Sequence, residues 1–164
     1  MTDNPIEVAR GIAERAHDGQ VDKSGAPYIE HPAMVVDLLQ RLPGYQEADP
    51  LTQQDAVVAA WLHDVVEDSP IMAEDLLAAG VSQRATDTVV ALTRQKTIPP
   101  EDYYRALAER PVALLVKTAD LAANLHPARV ALLDDATLVR LAAKYANALQ
   151  CLGIARSTID EVYR

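Results

Sequence analysis

The chain has no phenylalanine, one tryptophan and one cysteine among its 164 residues. A lone thiol, Cys151, can close no internal disulfide and build no thiolate metal cluster, which excludes a disulfide-stapled scaffold. Positive charge is also scarce: 15 Lys and Arg stand against 24 Asp and Glu, a formal charge of −9. Duplex DNA and anionic membranes are held by clustered Lys and Arg, so this balance argues against both as partners. It leaves room for a phosphorylated small molecule, because a bound divalent cation reverses the local field. No apolar run approaches the roughly 18 residues of a membrane span. The opening Met1-Thr2-Asp3-Asn4-Pro5 is polar and acidic, unlike a signal peptide. The expectation is a cytoplasmic protein, with its oligomeric state left open.

What is present is a core-forming composition: 49% hydrophobic residues, with 10 Pro and 6 Gly as punctuation. That profile fits one compact domain over residues 1–164. Strand-like alternation is absent, and the pattern is helix after helix. Asn4-Pro5-Ile6-Glu7 combines a capping Asn, a Pro at the first helical position and a Glu three residues past the cap. That helix should run to about Asp18, where Gly19 ends it. Residues 19–31 hold Gly, Ser and Pro without periodicity, a loop. Pro32 opens a second helix through Leu42, and Thr52 opens a third that carries Trp61 and ends near Asp68. Further helices are expected at 73–79, from Ser82 to about Thr93, near 101–109 and at 112–125. The last should span 135–163, with Gly153 a weak point of about 1 kcal/mol relative to Ala. The fold class is all-α, a single compact helical bundle.

Two of these helices carry polar residues where apolar ones belong. In the third, Val57, Val58, Trp61, Leu62 and Val65 form an ordinary core stripe. At 100° per residue, His63, Asp64, Glu67 and Asp68 share an arc of about 140° on the other side. Ala56 and Ala60 precede them on that arc, so a closely packed face turns abruptly into one imidazole and three carboxylates. Burying such a cluster unpaired costs several kcal/mol, and a bound cation is the simplest compensation. The helix at 112–125 is apolar nearly all round except for Lys117, Asp120 and Asn124 along one side. A buried helix needs partners for such a seam. Each feature also has a plain structural reading. His63-Asp64 could be a surface pair, Lys117 and Asp120 a buried ion pair, Glu67-Asp68 the decoration of a helix end, and His31 a core histidine. Together, imidazoles from 31 and 63 and carboxylates from 64 and 120 make a nitrogen–oxygen donor set suited to Mn²⁺, Fe²⁺, Zn²⁺ or Co²⁺. A metal there would make a nucleophile of water near neutral pH.

The order His31, His63-Asp64, Asp120 resembles the H…HD…D signature of HD-domain metal-dependent phosphohydrolases. More narrowly, Ala16-His17-Asp18-Gly19-Gln20 and Lys23-Ser24-Gly25-Ala26-Pro27-Tyr28-Ile29-Glu30-His31-Pro32 look like the opening of the RelA/SpoT-type alarmone hydrolases. The block Trp61 to Asp68 is similar to their HDxxED segment, and Lys117 to Asn124 to their K-x-A-D-x-x-x-N segment. The likeness covers roughly residues 9–152, and four ordered blocks are a specific signal.

The resemblance implies an HD-domain fold and Mn²⁺-dependent removal of the 3′-pyrophosphate from (p)ppGpp, the alarmone of the stringent response. The products would be pyrophosphate and GDP or GTP. It implies a stand-alone small hydrolase, without room for synthetase or regulatory regions. Carried over by position, His31, His63, Asp64 and Asp120 would be metal ligands. Glu67 and Asp68 would orient and deprotonate the attacking water, and Asn124 would hold substrate near the metal. Lys23 and Ser24 would sit at the nucleotide, with Tyr28, Lys144 and Tyr145 as further substrate contacts. His17 reads as structural. Two positions depart from the family pattern: Asp22 stands where Arg is common, and Leu121 follows the metal Asp in place of Arg. A carboxylate at 22 would accept from an exocyclic amine, which guanine and adenine both offer. Adenosine alarmones such as (p)ppApp therefore become candidate substrates. Alternatives are an HD-type phosphatase of a nucleoside monophosphate or NADPH, or a non-catalytic nucleotide-binding protein.

Overall fold

A computed structural model describes residues 3–164, and among them every regular element is a helix. In chain order these are α1 (Pro5–Ala16), α2 (Glu30–Arg41), α3 (Pro43–Gln46), α4 (Pro50–Leu62), α5 (Val65–Asp68) and α6 (Ala73–Ala78). They continue as α7 (Gln83–Leu92), α8 (Pro100–Ala108), α9 (Pro111–Asn124), α10 (Pro127–Val130), α11 (Asp135–Leu152) and α12 (Arg156–Glu161). The all-α expectation is met.

Helix starts follow the capping chemistry. The Asn4 side chain accepts from the Ile6 amide at 3.0 Å, and Pro5 occupies the first turn, where its missing N–H has no intrahelical partner to lose. Asp49 plays the same part for α4, accepting from Leu51 and Thr52 amides at 3.1 and 3.0 Å. The third helix thus begins at Pro50, two residues before the expected Thr52.

α4 lies at the centre, against α1, α2, α7 and α9. Its sequence explains why: Ala56, Val57, Val58, Ala59, Ala60 and Leu62 are all buried, and three alanines let neighbouring backbones approach closely. α9 is the second buried helix, packed on α2, α4, α7 and α8. One apolar cluster runs from Ala9 in α1 to Val162 after α12.

Two expectations need correction. The third helix does not continue from Thr52 to Asp68: it ends at Leu62, and α5 resumes at Val65 after a turn at His63-Asp64. The His63 ring Nδ1 donates to the Ala60 carbonyl at 2.7 Å, which removes that acceptor from the last turn. The last helix does not run through to 163 either. Gly153 sits at φ +70°, and the bonds Gly153 N to Gln150 O (3.2 Å) and Ile154 N to Leu149 O (3.0 Å) close α11 in a Schellman motif. Gly153 is a stop signal, and α12 is a separate helix.

Candidate metal centre and cavity

Three helices that touch one another deliver the polar residues singled out above. His31 lies in the first turn of α2, His63 and Asp64 in the turn after α4, and Asp120 near the end of α9. His31 Nε2 is 3.0 Å from Asp120 Oδ1 and 3.8 Å from Asp64 Oδ2. His63 Nε2 is 2.9 Å from Asp64 Oδ2 and 3.6 Å from Asp120 Oδ1. Donor atoms bound about 2.1 Å from one ion would stand roughly 3.0 Å apart when adjacent. His31 and His63 thus each approach both carboxylates, and His31, His63 and Asp64, with donor atoms within 4.8 Å of one another, form a group that could hold a metal ion.

The protonation pattern makes the same demand. His63 Nδ1 donates to Ala60, so in the neutral ring Nε2 carries a lone pair. That atom is buried without a hydrogen-bond partner, and it faces two carboxylate oxygens. A lone pair aimed at anionic oxygens is repulsive unless a proton or a cation lies between them. Burial alone would lower the His63 pKa, but the Asp64 and Asp120 carboxylates reverse that and raise it well above the ordinary 6.5. Asp64 and Asp120 lie below their ordinary 3.8: burial pushes both up, and His63 beside Asp64 and Lys117 beside Asp120 more than offset it. The arrangement suits a divalent cation.

Outer partners orient the two carboxylates. Lys117 Nζ donates to Asp120 Oδ2 at 2.7 Å and Asn124 Nδ2 to Oδ1 at 3.0 Å, so both carboxylate oxygens are oriented. The Tyr28 hydroxyl donates to Asp64 Oδ2 at 2.5 Å. The Tyr28 ring lies between His17 and His31, at centroid distances of 4.9 and 5.7 Å. His17 is buried with Nδ1 2.9 Å from Gln20 Oε1, and Gln20 Nε2 donates to the Asp68 carbonyl at 3.0 Å. His17 thereby ties the end of α1 to α5.

Beside the centre opens a cavity of about 380 Å³. Of the expected residues, Lys23, Tyr28, His31, His63, Asp64, Glu67, Asp120, Asn124, Lys144 and Tyr145 line it. Ser24 and Asp68 do not. The Ser24 hydroxyl donates to Asp22 Oδ1 at 2.7 Å. Asp68 stands next to Asp64 and Glu67, their carboxylate oxygens lying within 4.8 Å of one another. Burial first, then the charges of Asp64 and Asp68, raise the Glu67 pKa above its ordinary value; burial and Asp64 raise that of Asp68. Glu67 Oε1 accepts from the Arg94 amide at 2.7 Å, which leaves Oε2 open.

Asp22 does not offer the free carboxylate expected from the sequence. Its Oδ1 accepts from Ser24 N (2.8 Å), Ser24 Oγ (2.7 Å) and Ala26 N (3.1 Å), and its Oδ2 faces Arg129 at 3.5 Å. The side chain caps its own turn. Arg94, Arg129, Tyr103 and Tyr104 also line the cavity and were not singled out by pattern. The adjacent tyrosines, in a chain with no Phe, were the one available signal.

Residues 9–161 match the family model of the HD domain. The chain belongs to the HD-domain family. Over 138 residues this HD domain is 35% identical to a GTP pyrophosphokinase of Streptomyces coelicolor, covering 76% of the chain and 15% of the relative. Over 139 residues it is 32% identical to a guanosine-3′,5′-bis(diphosphate) 3′-pyrophosphohydrolase of Vibrio cholerae, covering 77% and 19%. The HD domain spans less than a fifth of the length of these curated relatives. A solved structure described as a metazoan ortholog of SpoT that hydrolyzes ppGpp superimposes with a TM-score of 0.74 at 21% identity. That match covers 100% of this chain and 96% of the other, so the two share a fold from end to end.

Proposed function

We propose that this chain, a single HD domain over residues 1–164, removes the 3′-pyrophosphate from guanosine 3′,5′-polyphosphates such as (p)ppGpp. Pyrophosphate and GDP or GTP are the products. The observation that carries the reading is the convergence of His31, His63, Asp64 and Asp120 within 2.9–3.8 Å beside a cavity overlooked by Glu67. The names of the curated relatives support the substrate class.

In this reading His31, His63, Asp64 and Asp120 would hold one divalent ion, Mn²⁺. A bound ion supplies positive charge that lowers the pKa of water and stabilises the phosphoryl group in the transition state. The protein supplies the rest. Glu67 takes the proton of the attacking water on Oε2, its other oxygen being fixed by the Arg94 amide. Its proton affinity is raised by burial and by the two flanking carboxylates, which moves a carboxylate toward the range useful to a general base. Asp68, outside the cavity lining but with its carboxylate beside those of Asp64 and Glu67, keeps that affinity high. Lys117 and Asn124 fix Asp120, and Tyr28 fixes Asp64. Lys23, Lys144, Tyr145 and Asn124 face the nucleotide from the cavity wall.

The test is incubation with Mn²⁺ and a panel of guanosine and adenosine 3′-pyrophosphates, with the products separated by chromatography. Pyrophosphate release from (p)ppGpp is the expected result. Release of inorganic phosphate alone would mark a phosphatase instead, and no metal-stimulated hydrolysis of any nucleotide would mark a binding protein.

A further inference from the structure

The cavity carries cations that the metal chemistry does not use. Lys117 is engaged by Asp120 at 2.7 Å, and the Arg94 guanidinium donates to the Gln95 and Ile98 carbonyls at 2.5 and 2.6 Å. Three others line the cavity: Lys23 from the loop before α2, Arg129 from α10 and Lys144 from α11. The Arg129 side chain is only 22% exposed, and its ion pair is one 3.5 Å approach to Asp22 Oδ2. That is longer than the roughly 2.7–2.9 Å of a charge-assisted hydrogen bond, so the planar face of N–H donors remains open to a ligand.

Asp22 is well placed to aim this guanidinium. Three donors of its own turn fix Oδ1, so Oδ2 is a rigid anionic point against which Arg129 rests. The neighbourhood is otherwise crowded with like charge. Burial lowers the Lys144 pKa, and Lys117 and Lys23 lower it further by repulsion. In a chain of net charge −9, gathering three cations along one cavity, beside the lining carboxylates of Asp22, Asp64, Glu67 and Asp120, builds up local like-charge repulsion. An anion with several oxygens would relieve it, and a guanidinium binds phosphoryl oxygens in pairs.

We propose that Arg129, positioned by Asp22, forms with Lys23 and Lys144 a second anion subsite that takes the 5′-phosphate groups of the nucleotide whose 3′-pyrophosphate lies at the metal centre. The assignment rests on the function proposed above. It also replaces base reading by Asp22: the residue acts through Arg129, as a positioning residue.

The experiment compares ppGpp with its 5′-hydroxyl counterpart, guanosine 3′-diphosphate, and adds direct calorimetric binding of GDP. Arg129→Ala should raise the KM for ppGpp about tenfold more than that for the 5′-hydroxyl substrate, with kcat for ppGpp nearly kept, and weaken GDP binding about tenfold. Arg129→Lys should recover part of both. Asp22→Asn, which keeps a turn-capping oxygen, should raise the KM for ppGpp several-fold without a matching fall in kcat. Equal effects of Arg129→Ala on both substrates, or wild-type GDP binding that is absent or indifferent to Arg129, would overturn the subsite. Should the wild type cleave neither substrate yet bind GDP through Arg129, the subsite stands and the proposed reaction falls.

Discussion

His63 carries the sharpest electrostatic demand in the molecule, because its Nε2 faces two carboxylates and needs a positive charge in between. In metal-free protein that charge is a proton. A folded-state pKa raised above 6.5 means that the group stabilises the fold fully below about 6.5 and ceases to do so as pH rises through the raised value. Thermal melts of metal-free protein should therefore lose stability on the alkaline side of 6.5, and Mn²⁺ should remove that loss. A pH-independent melt over the same range would contradict the assignment. Glu67 is expected to behave differently, since the proposed mechanism gives it the water's proton and no bond to the ion. Glu67→Gln should keep stoichiometric metal and lose turnover by roughly 10²-fold or more, whereas His63→Ala should lose both. Full turnover by Glu67→Gln would remove it from the mechanism. Asp55 offers a purely structural counterpart. It is buried in α4, accepts from Ser82 Oγ at 2.9 Å and pairs with Arg84 at 3.2 Å, joining α4 to the start of α7. Asp55→Ala should cost about 2 kcal/mol in urea denaturation.

At the scale of elements, proline positions made several helix starts legible, because Pro5, Pro100 and Pro111 each occupy a first turn. Pro50 was passed over in favour of Thr52, and the left-handed stop at Gly153 read as a weak point inside one long helix. The break at His63-Asp64 was not legible. Val65, Val66, Glu67 and Asp68 continue the helical pattern of α4, and only the side chain–backbone bond from His63 to Ala60 reveals the turn. Of the four proposed ligand positions, His63, Asp64 and Asp120 stood out as polar residues on otherwise apolar helix faces, whereas His31 read as the end of a loop before Pro32. Arg94 and Arg129 did not, since Arg94 reaches Glu67 through its backbone amide and Arg129 reaches the cavity from the four-residue α10. Side-chain pattern carries no trace of a backbone donor. Gly153→Ala should lower stability by about 1 kcal/mol without altering metal content, the cost of a Cβ at positive φ. An unchanged denaturation midpoint would contradict the Schellman closure as the stop of α11.

At the scale of the whole molecule, α4 and α9 are buried so thoroughly that the ends of α4 and α9 and the first turn of α2 are fixed relative to one another. A rigid frame of this kind would hold the proposed metal donors in position ahead of binding. None of the described helices is long and apolar enough to cross a membrane. The most direct measurement of the central claim is anomalous diffraction from crystals grown with Mn²⁺. A single peak about 2.1 Å from His31 Nε2, His63 Nε2 and the Asp64 and Asp120 carboxylates is the predicted result. Mn²⁺ bound elsewhere, or coordination that omits either imidazole, would contradict it.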